Sequence, residues 1–156
     1  MGDYWITTHW PTPVTDLPFS RHVFVKANRV RLPQPGDVVF VRQAKRAVVK
    51  GIHRTTAIRH HAGRKVAGCA VPDGTGGIIG VLTVDGDLRP ISRDDVVFDY
   101  GDLDEWKIVP GNGFRPATLT FDNLLAVTRM PNARGMNLWH MRDSAMGKKL
   151  YKQLRF

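Results

Sequence analysis

Short apolar runs separated by turn residues recur along the first two thirds of the chain. The run GDVVFV at 36–41 follows two prolines and is rich in valine, and GGIIGVLTV at 76–84 is followed by an Asp-Gly turn. Runs of this kind, bounded by glycine, proline or aspartate, are typical of β-strands. The segment EWKIV at 105–109 alternates charged and apolar residues, as a half-buried strand does. With YWITT and HVFVKA near the N-terminus, the pattern predicts at least five strands.

One glycine interrupts a predicted strand. Gly80 lies inside the apolar run 76–84. A glycine within a strand marks a bulge or a place where another part of the chain approaches closely. We therefore expect an irregularity of the sheet at Gly80.

Two segments have the periodicity and the capping residues of helices. TFDNLLAV begins at Thr120, a good N-cap, and places its leucines and valine on one buried side. The C-terminal segment 143–155 begins at Asp143 or Ser144. Its apolar residues recur at spacings of four, at Met146, Leu150 and Leu154. Its lysines and arginine lie mostly off that stripe, which predicts a basic amphipathic helix packed on the protein surface.

The elements together indicate a strand-rich domain. A chain of 156 residues is one domain of ordinary size, so we expect a single domain over 1–156. Residues 44–66 have a helix-like pattern that Gly51 and a Thr-Thr pair weaken, so their structure stays open. Strands followed by a few helices predict an α+β fold, a small β-barrel of about five to six strands with a few peripheral helices.

The composition excludes several classes of protein. A single cysteine, Cys69, rules out an internal disulfide and gives no support to a zinc site. No apolar run approaches the roughly 18 residues of a membrane span. The N-terminus has no basic segment followed by an apolar one, so we expect no signal peptide. We expect a soluble intracellular protein with no membrane contact, no cofactor and no bound metal.

The charge is large and unevenly distributed. Lys and Arg total 23 against 14 acids, a net charge of +9, which favours an anionic polymer as the partner. No acid occurs between Asp37 and Asp73, and this stretch, with a possible insertion at 42–72, holds the predicted phosphate-binding residues: Arg42, Lys45, Arg46, Lys50, Arg54, Arg59, Arg64 and Lys65. Eight acids crowd into 85–105. The alternative is a generally basic surface with an acidic patch that only aids solubility.

The order of these segments resembles that of EVE domains, members of the PUA-like superfamily and relatives of YTH domains. DYWITT is similar to their opening strand, LPQPGDVVFV to their Pro/Gly-Asp turn and strand, and GGIIGVLTV to a later strand. EWKIV with RPATLTFDNLL is similar to their Trp-containing strand and following helix, and NARGMNLWHM to their closing strand. The resemblance covers roughly residues 3–141. It fails after the first strand, where the usual Lys-Ser-Glu-Pro is replaced by TTHWP, and in the basic stretch 42–72.

The resemblance implies a reader of modified nucleic acid. EVE and YTH domains hold a modified base, flipped out or single-stranded, in a cage of aromatic side chains, and in prokaryotes such domains often serve modification-dependent restriction systems. We therefore expect DNA carrying a modified cytosine, such as 5-methylcytosine, or a modified adenine as the ligand. A nuclease or ATPase domain or subunit is a possible partner. The expected location is the cytoplasm of a prokaryote or phage, in association with the nucleoid.

The candidate base pocket follows from the first strand. Alternate side chains of a strand point to opposite faces, so Tyr4 and Ile6 share one face and Trp5 the other, where we expect it to be buried. Beyond the strand, a tryptophan followed by proline suits a loop that borders a pocket. The predicted base-pocket residues here are Trp10, His9, Thr7 and Thr8, and the resemblance to EVE domains implies three more, Trp106, Phe24 and Asn28. Aromatic rings would stack on the base and the threonines would hydrogen-bond to its edge.

Three other functions remain open. Glu105 and Lys107 match half of a metal-dependent nuclease motif, and Asp94, Asp95 or Asp99 upstream could complete a Mg²⁺ site that activates water, with Asp95 as the one named for the site. The histidines at 53, 60 and 61 lack the spacing of a helical metal site, so they suit a solvated or phosphate-contacting loop. The chain could also be an RNA-binding PUA-like protein or a protein-binding adaptor, although the basic charge argues against the adaptor.

Overall fold

The computed structural model describes residues 2–9, 22–26, 30–43, 48–49, 52–53, 56–61, 64–70, 75–90, 97–99, 106–129 and 138–156. Within these residues the strands are β1 (Tyr4–His9), β2 (His22–Lys26), β3 (Val38–Gln43), β4 (Val48–Val49), β5 (Ile52–His53), β6 (Thr56–His61), β7 (Arg64–Ala70), β8 (Ile78–Val84), β9 (Arg89–Pro90), β10 (Val97–Asp99), β11 (Trp106–Leu119) and β12 (Leu138–Met141). The helices are α1 (Phe121–Thr128) and α2 (Ser144–Gln153).

The main sheet has seven strands and curls into a half-barrel. Its order is β12-β1-β3-β8-β11-β2, and β9 also pairs with β11. β1 and β3 are parallel, and the chain between them leaves to form β2 at the far end of the sheet. The long strand β11 pairs with β2 through its first half and with β8 through its second half. Because β11 pairs with β2 along one half and with β8 along the other, the sheet folds back on itself.

Bulges allow this curvature. Val41 of β3 pairs with Gly80 of β8, but Arg42 pairs with Ile78, so β8 carries one extra residue. A Cβ atom at Gly80 would lie 2.3 Å from Cζ of Phe114, so the phenyl ring occupies the space that any larger residue would need. The expected irregularity at Gly80 is therefore confirmed as both a bulge and a close approach.

The two faces of the sheet bury two different clusters. On one face Ile6 and Phe40 pack with Leu124 of α1 and Leu150 of α2, so the helices cover this side. On the other face Trp5 packs with valines of β2, β3, β8 and β11, so the sheet closes on itself. Trp5 is only 1% exposed, which confirms its predicted place in the core. Burying a large side chain of this kind stabilises the fold by about 1.5–3 kcal/mol.

Both predicted helices are confirmed together with their caps. The Thr120 side chain accepts a hydrogen bond from the backbone N–H of Asn123, and Asp143 accepts one from Ala145. In α2 Leu150 is buried, as is the C-cap Leu154, and Met146 packs partly against the same cluster. The predicted Trp-containing strand is longer than its alternating segment, because β11 continues to Leu119 before α1 begins.

The stretch that the sequence left open forms strands where the structure describes it. β6 and β7 form an antiparallel hairpin that β10 extends, and β4 pairs with β5. The helix-like spacing at 44–66 is therefore overridden, since valine, isoleucine and threonine prefer strands when a partner strand is at hand.

Candidate nucleic-acid interface

Several strands meet at the end of the barrel where β1 finishes. Thr8 pairs with Arg42 and His9 with Gln43, so the parallel strands β1 and β3 end side by side. Gln43 donates its backbone N–H to the carbonyl of Gly77, 3.0 Å away, directly before β8 begins. Leu138, the first residue of β12, pairs with Thr7. We call this edge the β1 end.

The predicted base-pocket residues are divided between two walls. Thr7, Thr8 and His9 lie on β1 at this end. Thr7 is fully buried, and Thr8 on the opposite face is half-buried. Phe24 and Trp106 lie on the paired strands β2 and β11, where the structure describes their backbone.

The strands β1 and β2 both contribute to one buried cluster. Trp5 of β1 shares one buried cluster with Val23 and Val25 of β2. Trp10 and Asn28, the remaining predicted pocket residues, lie outside the described residues. The prediction that they contribute to a pocket therefore stays a prediction.

Arg42 occupies a position different from the phosphate-contacting one expected. Only 7% of the residue is exposed, and its Nε donates to the carbonyl oxygen of Gly76 at 2.7 Å. The guanidinium carbon lies 5.2 Å from the centre of the Phe121 ring. Burial lowers the pKa of Arg42 from its usual value, because the interior disfavours its charge. Arg42 thus joins β3 to the turn before β8 and to α1.

This position makes Arg42 a structural residue with a measurable signature. We expect Arg42→Ala to lower the free energy of unfolding by about 1–3 kcal/mol, because the Gly76 carbonyl loses its donor. Urea denaturation measures this loss. Lys45→Ala is the matched comparison and should instead reduce the salt dependence of oligonucleotide binding. An unchanged stability together with a reduced salt dependence for Arg42→Ala would restore the phosphate role.

The other predicted phosphate-binding residues are only partly within the described structure. Lys45, Arg46, Lys50 and Arg54 lie outside it. Arg59 lies on β6, and Arg64 and Lys65 lie on β7, where the backbone is described. The register pairs His60 with Lys65 and His61 with Arg64, so these basic residues gather at the closed end of the β6–β7 hairpin.

A buried carboxylate that the sequence did not single out holds the opposite end of β1. Asp37 is 5% exposed, and it accepts hydrogen bonds from the Trp5 indole N–H and from the backbone N–H groups of Asp3 and Gln34, each at 2.8 Å. Asp3 also lies 3.0 Å from Nε2 of His140 on β12. The Pro-Gly-Asp sequence signalled a turn, but its third residue gave no local sign of this burial.

A groove lies between α2 and the sheet, near the start of β1. It has a volume of about 280 Å³. Tyr4 and Tyr151 line it, together with Thr83, Gly113 and Arg115. Gly147 lets α2 approach closely, because a Cβ there would lie 2.2 Å from Cγ of Tyr4.

The acidic nuclease motif is only partly described. Lys107 is half-buried on β11, while Asp95 and Glu105 lie outside the described residues. Among the residues that are described, no group of three His, Cys, Asp or Glu side chains could hold a metal ion. Within the same residues, no helix is long and apolar enough to cross a membrane.

Comparison with known proteins identifies the fold. No protein-family model and no curated protein matches the sequence. The crystal structure of ASCH from Zymomonas mobilis superposes with a TM-score of 0.63 at 11% identity, covering 98% of this chain and 96% of that chain.

Two variants of the same Zymomonas mobilis protein give the same result. The structure of a serine-to-alanine variant has a TM-score of 0.63 and covers 99% of this chain and 100% of that chain. A tyrosine-to-phenylalanine variant gives 0.62, covering 98% and 99%. The likeness in fold confirms the predicted small β-barrel with a few helices, whereas the assignment to EVE domains stays a prediction. The chain is therefore similar in fold to the ASCH structure from Zymomonas mobilis.

Proposed function

We propose that this protein binds nucleic acid and holds one modified base in a pocket at the β1 end. The observation that carries the proposal is the meeting of β1, β3, β8 and β12 at one edge of a PUA-like barrel. Trp10, with its predicted stacking ring, follows directly after β1. The net charge of +9 supports a polyanionic ligand.

The physical chemistry of the pocket follows from its side chains. Extruding a base from its stack costs a few kcal/mol. Stacking on an aromatic ring recovers about 1–3 kcal/mol per base, a role that we assign to Trp10 and Trp106. The hydroxyl of Thr8, half-buried on the face opposite Thr7, would hydrogen-bond to the base edge and add discrimination. The basic hairpin β6–β7 would contact phosphates without reading sequence.

We propose DNA with a modified cytosine or adenine as the ligand, as in EVE-type readers of modification-dependent restriction systems. The protein would have no catalytic activity of its own and would serve a nuclease or ATPase partner. RNA is the alternative ligand. A Mg²⁺-dependent nuclease is the alternative activity, and it requires cleavage that Glu105→Ala or Lys107→Ala abolishes.

The test is a titration of a small panel of oligonucleotides. The panel contains unmodified, cytosine-modified and adenine-modified DNA and the matching RNA strands. We expect one modified DNA to bind more tightly than its unmodified form, without any metal requirement. Equal affinity for every strand would contradict base reading, and a preference for RNA would replace DNA as the ligand.

One substitution separates base reading from general binding. We expect Trp10→Ala to lower the preference for modified over unmodified DNA by about tenfold or more, since one stacking wall is lost. Trp10→Phe keeps an aromatic ring and should retain most of the preference. Fluorescence anisotropy with both strands measures the ratio. An equal loss for both strands would mean that Trp10 positions the chain and that the pocket lies elsewhere.

A further inference from the structure

The C-terminal helix carries a row of cations that its own stability does not require. Lys148, Lys149 and Lys152 are exposed on α2, and Arg155 follows it. The last acid of the chain is Asp143, so no carboxylate on the helix pairs with them. Lys148 and Lys152 are four residues apart, a spacing at which like charges destabilise a helix. The helix dipole favours Lys152 in the last turn but does not account for the other two.

The row begins beside a residue that lines the groove between α2 and the sheet. Tyr151, three residues after Lys148 and hence its neighbour on the helix surface, lines the groove opposite Thr83 and Arg115. The Arg115 guanidinium lies 4.0 Å from the centre of the Phe156 ring. Phe156 is 57% exposed and its ring centre is 5.9 Å from that of Tyr151. Aromatic rings and cations therefore alternate along one rim.

A membrane surface is a poor partner for α2, because the apolar side of the helix is already buried. Gly147 and Leu150 face the core and are buried, and so is Leu154 directly after the helix. An interfacial helix must insert its apolar face into the lipid, but here that face already packs on the sheet. The cations and the aromatic groove remain outward, a combination that single-stranded nucleic-acid sites use.

We propose that this face of α2 is a second contact for single-stranded nucleic acid. Lys148, Lys152 and Arg155 would neutralise consecutive phosphates, and one unstacked base would enter the groove beside Tyr151. A duplex could touch only the cations, because its bases are not free to enter. The inference rests on the proposed function in that both need a polynucleotide, but this contact is indifferent to base modification.

The phosphate contacts are tested by a matched pair of double variants. Lys148→Gln with Lys152→Gln removes two cations from the face, and Arg31→Gln with Arg129→Gln removes two exposed cations from other elements. The probe is an unmodified oligo(dT) strand. We expect the salt slope of the first variant to fall by about 1.4, and its affinity near 0.1 M salt to fall about twentyfold, from two lost phosphate contacts. The control should lose less than threefold.

The base contact is tested through Tyr151. The wild type should bind the single strand more tightly than a duplex of the same length, and Tyr151→Leu should reduce that preference by about fivefold or more. Tyr151→Phe keeps the ring and should retain the preference. Because Tyr151 also packs near Phe40, thermal unfolding is followed for both variants, and the single-strand to duplex ratio is taken only below the transition.

The outcomes distinguish this inference from the proposed function. Equal losses for the α2 variant and its control would overturn the second contact, whatever the preference for modified DNA. A loss of binding to anionic vesicles without a loss for oligo(dT) would also overturn it and assign the face to lipid. If the α2 variant weakens modified and unmodified strands alike, the second contact stands even where no base modification is read.

Discussion

Asp37→Ala is expected to lower the free energy of unfolding by about 4 kcal/mol. The carboxylate of Asp37 accepts hydrogen bonds from the Trp5 indole and from the backbone N–H groups of Asp3 and Gln34. Each buried donor left without an acceptor costs about 1–3 kcal/mol. Water can reach part of the space that the shortened side chain leaves, so the three costs do not simply add.

The loss should be specific to this carboxylate. Asp87→Ala removes an exposed carboxylate in the turn after β8 and should change stability by less than about 0.5 kcal/mol. Asp37→Asn keeps one acceptor oxygen, so its loss in the free energy of unfolding should lie between those of Asp37→Ala and Asp87→Ala. Urea denaturation of the three variants gives the comparison. A loss below about 1 kcal/mol for Asp37→Ala would mean that Trp5 and the N-terminal backbone find other acceptors.

Gly147→Ala is expected to destabilise the protein by about 1–2 kcal/mol net, although alanine is the better helix former. Helix propensity alone would favour alanine by about 1 kcal/mol. The added Cβ, however, would lie 2.2 Å from Cγ and 2.7 Å from Cβ of Tyr4, near the backbone of β1 where little movement is possible. Overpacking of this kind costs about 1–3 kcal/mol or more, so the clash should outweigh the propensity.

The partner side chain supplies the control for this prediction. In a Tyr4→Ala background most of the clashing atoms are absent, and Gly147→Ala should cost less than in the wild type. Denaturant midpoints of the four proteins in this cycle measure the coupling. A Gly147→Ala variant more stable than the wild type would show that α2 can shift away from β1 at little cost.

Features encoded by local sequence were the predictable ones. The caps at Thr120 and Asp143 follow from residue type alone, because a capping side chain bonds to a backbone N–H only two or three residues ahead. The faces of β1 follow from the alternation of a strand, which correctly buries Trp5. The irregularity at Gly80 was predictable for the same reason, since a glycine inside a strand indicates a bulge or the close approach of another part of the chain.

Features that depend on distant pairing could not be predicted. Arg42 lies in a basic stretch and has the local pattern of a surface arginine, but the pairing of β3 between β1 and β8 buries it beside Gly76. Asp37 is buried because Trp5, 32 positions earlier, points its indole at it. The strands β4 to β7 are a different case: each pairs with its neighbour in sequence, and the helix-like spacing of the segment concealed them.

The candidate sites also combine locally encoded features with features that depend on distant pairing. The amphipathic pattern of α2 correctly predicted its packing, but the groove beside it needs Tyr4 from the opposite end of the chain. Thr7, Thr8 and His9 were predicted as pocket residues from the first strand. That Phe24 and Trp106 lie on two other strands, paired with each other, follows only from the pairing of β2 with β11. Spatial neighbours with large sequence separation carry no local signal.

The position of β1 in the sheet also bears on how the chain folds. During synthesis β1 is made before both of its partner strands, and the second partner, β12, is complete only at Met141. Until then β1 has one unpaired edge, the kind of edge that invites pairing with other chains. Contacts of such sequence separation slow folding to the millisecond-to-second range. The sheet can therefore be completed only after β12 has been made.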